Sequence, residues 1–193
     1  MIELEFRSLF RRLPDQIATV PVKGPAAQMA MFEEETPATA PVALGNYHLV
    51  ADKASLEALA ASLRAALSVS PGTPLTVDTE TTGTNALQAS LVGISLTYRE
   101  GEAWYLPILA PEGEPVLSLD AVIHSLGPFF ADPAVPKQGH NLKYDMKVLA
   151  HAGLPLNGLS FDTMLAEWVL NPDSPNLGLK NLAWARLGVQ MTE

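Results

Sequence analysis

Residues 75–81 read Leu-Thr-Val-Asp-Thr-Glu-Thr, and this stretch decides the expected fold. Side chains two apart share one face of a β-strand, so Leu75 and Val77 face one way. Asp78 and Glu80 then face the other way, side by side. Neighbouring carboxylates repel each other, and a divalent cation turns that cost into binding. The pair therefore predicts a cation site or, as the ordinary alternative, a solvated strand end before a turn.

The segments around this strand predict an α/β domain with a mixed sheet. Two more apolar strands follow, joined by a turn at residues 99–101, and strands in this order form a three-stranded antiparallel meander. Helices and short strands then alternate, which favours helices on both faces of the sheet. The predicted strands are 47–50, 75–80, 91–98, 103–108 and 135–138. The first predicted helix is capped by Asp52 or Ser55 and runs to about residue 67, and the second is capped by Ser118 and runs through residue 130. The other predicted helices are 142–151, closed by Gly153, 163–170, and 179–187, with Gly188 at its end.

The composition favours one ordinary domain and excludes several classes of protein. The chain has 193 residues, 48% of them hydrophobic, and no cysteine, which excludes disulfide frameworks and thiolate metal sites. No apolar run approaches the roughly 20 residues of a membrane-spanning helix. Because a signal-peptide layout is also missing, we expect a cytoplasmic protein with no membrane partner. The net charge of −9 argues against nonspecific coating of nucleic acid, but allows contact with phosphate through cations.

The N-terminal quarter of the chain differs from the rest. Residues 1–13 predict a short basic amphipathic helix, belonging to a preceding region. Residues 14–46 contain five prolines and an acidic run at residues 33–35, and we expect a poorly ordered linker there. The compact domain is expected to occupy residues 47–193.

Residues 138–145, Gln-Gly-His-Asn-Leu-Lys-Tyr-Asp, form a second informative segment. A predicted strand ends at the glycine, and a helix begins at Asn141. Asn141 and Asp145 lie four apart and are expected on one helix face. Asn141 offers either a helix cap or a donor for a phosphate near the helix N-terminus. The ordinary alternative is an Asn cap, with Asp145 compensating the helix dipole.

Three motifs occur in order: Asp78-Thr-Glu80, then Asn141-Leu-Lys-Tyr-Asp145, then Phe161-Asp-Thr-Met-Leu165. This order and spacing resemble the proofreading exonuclease domain of the bacterial DNA polymerase I family. That domain belongs to the DEDD exonucleases, so the resemblance implies a ribonuclease H-like fold. The resemblance covers about residues 47–193. Residues 4–9 also look like the segment that precedes this domain in those polymerases.

The resemblance implies 3′→5′ hydrolysis of the terminal phosphodiester of DNA, with two divalent ions, Mg²⁺ or Mn²⁺. It makes Asp78, Glu80 and Asp145 the catalytic carboxylates and metal ligands. The implied partners are a single-stranded DNA 3′ end and a polymerase domain in the same parent chain. Thr84 stands where many relatives have a leucine that wedges against the terminal bases. The implied substrate-binding residues are Thr81, Thr84, Asn141, Lys143 and Tyr144.

The third motif of the family is a Tyr or His followed four residues later by Asp. Downstream of Asp145 only His151 could begin it, and Pro155 follows it at that spacing. We therefore expect a C-terminally incomplete domain whose activity alone is in question. Two alternatives stay open: a catalytically inactive structural domain of a DNA polymerase, and an RNA-trimming DEDD exonuclease.

The remaining polar and aromatic candidates are expected to be structural. Asp162 precedes a predicted helix and suits its N-cap better than a metal site. We expect the histidines at the surface or internally satisfied, and the tryptophans in the core. The residues concerned are His124, His140, His151, Trp104, Trp168 and Trp184.

Overall fold

The computed structural model describes residues 45–191, which lie within one compact unit. The predicted helix at 1–13 and nearly all of the predicted linker at 14–46 lie outside the described residues. The strands are β1 (Asn46–Leu49), β2 (Leu75–Thr81), β3 (Leu91–Arg99), β4 (Glu102–Pro107), β5 (Lys137–Gly139) and β6 (Leu159–Asp162). The helices are α1 (Lys53–Val69), α2 (Leu119–Ala131), α3 (Leu142–His151), α4 (Thr163–Leu170) and α5 (Leu179–Leu187).

The strands form one mixed sheet in the order β1-β4-β3-β2-β5-β6. Strands β2, β3 and β4 pair antiparallel, which confirms the predicted meander. Strand β1 joins β4 in parallel, and β5 and β6 extend the sheet in parallel beyond β2. Strand β6 was not predicted, because its four residues were assigned to the approach to a helix. The helices pack around this sheet.

Alternation along β2 separates the core from the candidate site. Leu75, Val77 and Thr79 are buried, whereas Asp78 and Glu80 are exposed. Each fully buried leucine contributes about 2 kcal/mol relative to an exposed one. Helices α1 and α2 supply much of the apolar side of the core, through Leu56, Leu59, Leu63, Val122, Leu126 and Phe130.

Local signals fix several helix ends where the sequence placed them. Of the two predicted caps for α1, Asp52 is the one used, and its carboxylate accepts the Ser55 N–H at 2.9 Å. Gly153 and Gly188 follow α3 and α5 with φ of 83° and 66°. This left-handed conformation is easiest for glycine, so both residues end their helices.

Strand β5 is shifted from its predicted position of 135–138. The buried Lys137 ammonium donates to the Val135 carbonyl at 2.9 Å. The same ammonium donates to the Asp132 carbonyl at 2.6 Å. The side chain therefore closes the loop before β5, and the strand begins only at Lys137.

The core prediction holds for Trp104, which is 8% exposed, and is wrong for two other tryptophans. Trp168 and Trp184 are 53% and 57% exposed. They lie on α4 and α5, which are joined by a polar contact: Arg186 donates to both Glu167 carboxylate oxygens at 3.0 and 2.9 Å. Within residues 45–191, no helix combines the length and the apolar composition that crossing a bilayer takes.

Candidate active site

The first two carboxylates lie on the open face of the sheet. Asp78 pairs with Ser95 of β3, and Ser95 pairs with Tyr105 of β4. Glu80 pairs with Gly93 one step further along β3. Residues paired directly across an antiparallel ladder share a face of the sheet. Asp78, Glu80 and Tyr105 therefore project from the same side.

Asp145 joins this strand from α3. Strand β5 pairs with β2 only as far as Thr76, so among residues 45–191 no strand pairs with β2 beyond that residue on this side. Asp145 occupies that edge of β2, and its Oδ1 accepts the Thr79 N–H at 3.0 Å and the Thr79 hydroxyl at 2.6 Å. The side chain is buried, at 3% exposure. A carboxylate from α3 is thereby fixed against the strand that carries the other two.

The three carboxylates are electrostatically coupled through Asp78. Partial desolvation raises the pKa of Asp78, and the charge of Glu80 raises it further. Burial raises the pKa of Asp145 to about 6; the Asp78 charge adds to this, and hydrogen bonds from Thr79 oppose it. The charged forms of Asp78 and Asp145 are therefore costly, and a nearby positive charge would relieve that cost.

His140 also lies in the electric field of this site, because its charge lowers the pKa of Asp78. The Thr163 hydroxyl donates to the Gly139 carbonyl at 3.3 Å, so its oxygen accepts the Nδ1–H of His140 at 2.8 Å. The prediction of an internally satisfied histidine agrees with this contact. Its nearness to Asp78 was missed, and its place next to Asn141 was the only signal.

Asp162 caps two helices at once. Its carboxylate accepts the N–H groups of Met164 and Leu165 at 2.9 and 3.2 Å, which confirms it as the N-cap of α4. It also accepts the N–H groups of Asn141 and Leu142 at 3.1 and 2.8 Å, which caps α3. Burial alone raises the pKa of Asp162, but the four backbone donors outweigh it and hold the pKa below its usual value.

Asn141 is therefore not the side-chain cap that one reading of the sequence expected. It adopts the left-handed conformation, with φ of 58°, and its side chain makes no capping hydrogen bond. Asp162 instead accepts the N–H groups of Asn141 and Leu142 at the start of α3. Asn141 thus lies just outside α3, at its N-cap position, and a face shared with Asp145 stays a prediction.

Two of the predicted substrate-binding residues contact each other. The Tyr144 hydroxyl donates to the Gly83 carbonyl. The Thr81 hydroxyl lies 2.6 Å from the Tyr144 hydroxyl. These bonds tie α3 to the turn that follows β2. Thr84 is exposed in the same turn.

Lys143 lies two residues before Asp145, on a different face of α3. It is exposed and lines an apolar groove with Met146, Phe161 and Leu165. The structure therefore does not bring Lys143 together with Asp145. Its predicted contact with substrate stays a prediction, as do those of Thr81, Thr84, Asn141 and Tyr144.

Tyr105 is a neighbour of the site that sequence reasoning missed. A β-carbon added at Gly93 would lie 2.6 Å from the phenol ring carbons of Tyr105, so the ring fills the place of the missing side chain. Burial raises the pKa of Tyr105, and the charge of Glu80 raises it further. The available signal was a glycine inside a strand, which often marks a close approach of another group.

The acidic residues suit a hard divalent cation by their chemistry. All three are carboxylates, the oxygen donors that Mg²⁺ and Mn²⁺ prefer. The raised pKa values of Asp78 and Asp145 show that a cation would stabilise their charged forms. Across residues 45–191, however, no three Asp, Glu or His side chains are gathered closely enough to hold a metal ion as they stand.

Comparison with known proteins identifies the family of the chain. Residues 47–193 match the sequence profile of a family described as 3′-5′ exonuclease. The chain is 39% identical over 160 residues to DNA polymerase I of Pseudomonas aeruginosa, an alignment that covers 81% of this chain. It spans only 16% of the length of that relative.

Solved structures show the same architecture. Pol1 from M. smegmatis, in complex with DNA primer-template and dNTP, is 29% identical with a TM-score of 0.54, over 68% of this chain and 22% of that one. Brucella melitensis NrnC with bound Mg²⁺ is 20% identical with a TM-score of 0.53, over 76% of this chain and 62% of that one. These likenesses confirm the predicted ribonuclease H-like fold. Because the profile match covers most of the sequence, the chain belongs to the 3′-5′ exonuclease family.

Proposed function

We propose that this chain forms the proofreading site of a bacterial DNA polymerase, acting in the cytoplasm. It removes nucleoside monophosphates from the 3′ end of a single DNA strand, and a polymerase domain of the same parent chain supplies that end. The observation that carries the proposal is geometric: Asp78 and Glu80 project from one face of β2, and Asp145 is hydrogen-bonded to Thr79 between them. The relation to DNA polymerase I supports DNA as the substrate.

In this proposal Asp78, Glu80 and Asp145 hold two divalent ions, Mg²⁺ or Mn²⁺. Asp145 presents Oδ2, because its Oδ1 is already engaged by Thr79. When bound, such ions activate the attacking water and stabilise the departing 3′ oxygen. The Mg²⁺ in NrnC, a protein of the same fold, is consistent with this choice of ion.

In this proposal the DNA strand binds around the junction of β2 and α3. Asn141 is available to a phosphate, because its side chain makes no capping bond to the helix. The Tyr144 contact with Gly83 fixes the turn after β2, so the backbone near Thr81 approaches the terminal nucleotide. Lys143 and Thr84 contact the strand further from the carboxylates. Single strands are bound through backbone and stacking, so a frayed mispaired end enters most readily.

Hydrolysis of a 5′-labelled DNA oligomer in Mg²⁺ or Mn²⁺ tests the activity. We expect stepwise shortening from the 3′ end, no action on circular single-stranded DNA, and loss of activity in Asp78→Asn. Equal shortening by the parent chain and Asp78→Asn would contradict the proposal. Because the third family motif is expected beyond residue 193, the assay includes a version extended through that motif.

The same assay separates the two alternatives. An RNA-trimming enzyme would shorten an RNA oligomer of the same sequence faster than the DNA oligomer, and we expect the reverse. A purely structural domain would neither cleave DNA nor bind Mn²⁺ through Asp78. We expect the parent chain to bind Mn²⁺ through Asp78, because adjacent carboxylates are costly without a cation.

We also propose that the exonuclease domain begins within β1, at about residue 47, with residues 1–13 and 14–46 outside it. Strand β1 is paired with β4 from Asn46 onward, which supports this boundary. Limited proteolysis should cut within residues 14–46 and leave a resistant product starting near residue 47. A resistant product that includes residues 14–46 would move the boundary.

A further inference from the structure

Glu80 faces a gap in the neighbouring strand. Its ladder partner on β3 is Gly93, which has no side chain. Side chains directly opposite in an antiparallel pair have β-carbons about 5 Å apart, so a side chain at residue 93 would contact Glu80. The phenol of Tyr105 occupies that space, since a β-carbon added at Gly93 would overlap its ring.

The backbone of Tyr105 is aligned with Asp78, not with Glu80. Its own ladder partner is Ser95, which also pairs with Asp78. The backbone of Tyr105 is therefore aligned with Asp78 across the sheet, whereas its half-buried ring extends over Gly93, which is aligned with Glu80. Its hydroxyl lies over Gly93, the residue that pairs with Glu80.

The two groups interact electrostatically. Burial is the first cause of the raised pKa of Tyr105, and the negative charge of Glu80 is the second. A phenol hydroxyl next to a carboxylate is a hydrogen-bond donor to it. Such a donor restricts the positions that the flexible Glu80 side chain can adopt.

We propose that Tyr105 is a positioning residue for Glu80: its hydroxyl, seated over Gly93 but not hydrogen-bonded to Glu80 in this structure, donates to the Glu80 carboxylate once a cation holds that group towards Asp78. This inference rests on the proposed function, in which both carboxylates hold the same cation. It assigns Gly93 a role as well, because only a residue without a β-carbon leaves room for the ring. Groups that orient metal ligands typically change metal affinity by about 10- to 100-fold when removed.

The test is calorimetric titration of the 193-residue chain with Mn²⁺ alone. Tyr105→Phe keeps the ring over Gly93 and removes only the hydroxyl. We expect the Kd for Mn²⁺ to rise about tenfold while the melting temperature stays unchanged. Tyr98→Phe is the matched control, because the Tyr98 hydroxyl bonds to Ser62 and Arg99 at 2.7 and 2.8 Å, away from the carboxylates. It should lower the melting temperature and leave the Kd unchanged.

Gly93→Ala provides a second, independent variant. It leaves the Tyr105 hydroxyl in the protein but displaces the ring, so it should weaken Mn²⁺ binding by a similar factor. Binding of Mn²⁺ by Tyr105→Phe with the parent affinity overturns the inference. If Asp78→Asn then still loses Mn²⁺, the proposed function stands without it. If the parent chain does not bind Mn²⁺ at all, both fall.

Discussion

Asp145 binds Thr79 on the side of β2 where β5 has ended: its Oδ1 accepts both the backbone N–H and the side-chain hydroxyl of that residue, at 3.0 and 2.6 Å. Thr79 lies between Asp78 and Glu80 in the sequence but faces the opposite side of β2. The residue that separates the two exposed carboxylates therefore anchors the third. This contact couples the position of α3 to the geometry of the candidate cation site.

Thr79→Val tests that anchor, because it removes the hydroxyl and keeps the shape of the side chain. We expect a loss of about 1 kcal/mol in the free energy of unfolding. We also expect weaker Mn²⁺ binding, since Asp145 is held by the backbone N–H alone. Thr76→Val, on the same strand, is the control: it removes the acceptor of the Gln138 amide at 2.8 Å. It should cost similar stability but leave Mn²⁺ affinity intact, and equal Mn²⁺ affinity in both variants would contradict the anchor.

Asp145→Asn should stabilise the metal-free chain at pH 8. Burial raises the pKa of Asp145 from 3.8 to about 6. Between pH 3.8 and about pH 6, the folded chain therefore keeps a proton on Asp145 that the unfolded chain has lost. Stability therefore falls as pH rises through this window, by about 3 kcal/mol for a shift of about two units. The asparagine does not ionise and avoids that cost.

Urea unfolding in EDTA at pH 4 and pH 8 measures this effect. The two proteins should be almost equally stable at pH 4, and the asparagine variant should be more stable at pH 8. Adding Mn²⁺ at pH 8 should stabilise the parent chain alone, because only the carboxylate attracts the ion. An asparagine variant that is less stable than the parent at pH 8 in EDTA would show that Asp145 is not under strain.

Asp162→Ala should cost about 2 kcal/mol in the free energy of unfolding, because it removes the caps of α3 and α4 together. Asp52→Ala removes the cap of α1 only, and we expect a smaller loss. Chemical denaturation of both variants at neutral pH gives the comparison. Similar losses in the two variants would mean that the bonds from Asp162 to Asn141 and Leu142 add nothing.

The fold was predictable where a pattern is local. Alternation in residues 75–81 and the turn at 99–101 predicted β2 and the meander correctly, because each strand there has its own periodicity. Strand β6 was missed because its four residues are largely exposed, and their pairing depends on β5, more than twenty residues earlier. A short edge strand of this kind is defined by its neighbour rather than by its own sequence.

The face on which Asp78 and Glu80 lie was predictable from the sequence, but the contacts of the candidate site were not. The spacing of Asp78 and Glu80 placed them on one face, as the structure has them. No sequence pattern showed that Asp162 would cap α3 across the sheet, or that Tyr105 would fill the space at Gly93. Both depend on side chains from elements far apart in the chain. Motifs therefore identified the carboxylates, while the groups that hold them required coordinates.

The central claim is that Asp78, Glu80 and Asp145 share one cation-binding space. Crystals grown with Mn²⁺ and measured near the manganese absorption edge test it most directly, because the anomalous signal locates the ion independently of the protein. We predict a peak contacted by carboxylate oxygens of all three residues. A peak bound elsewhere, or an ion at Asp78 with Asp145 turned away from it, would contradict the account.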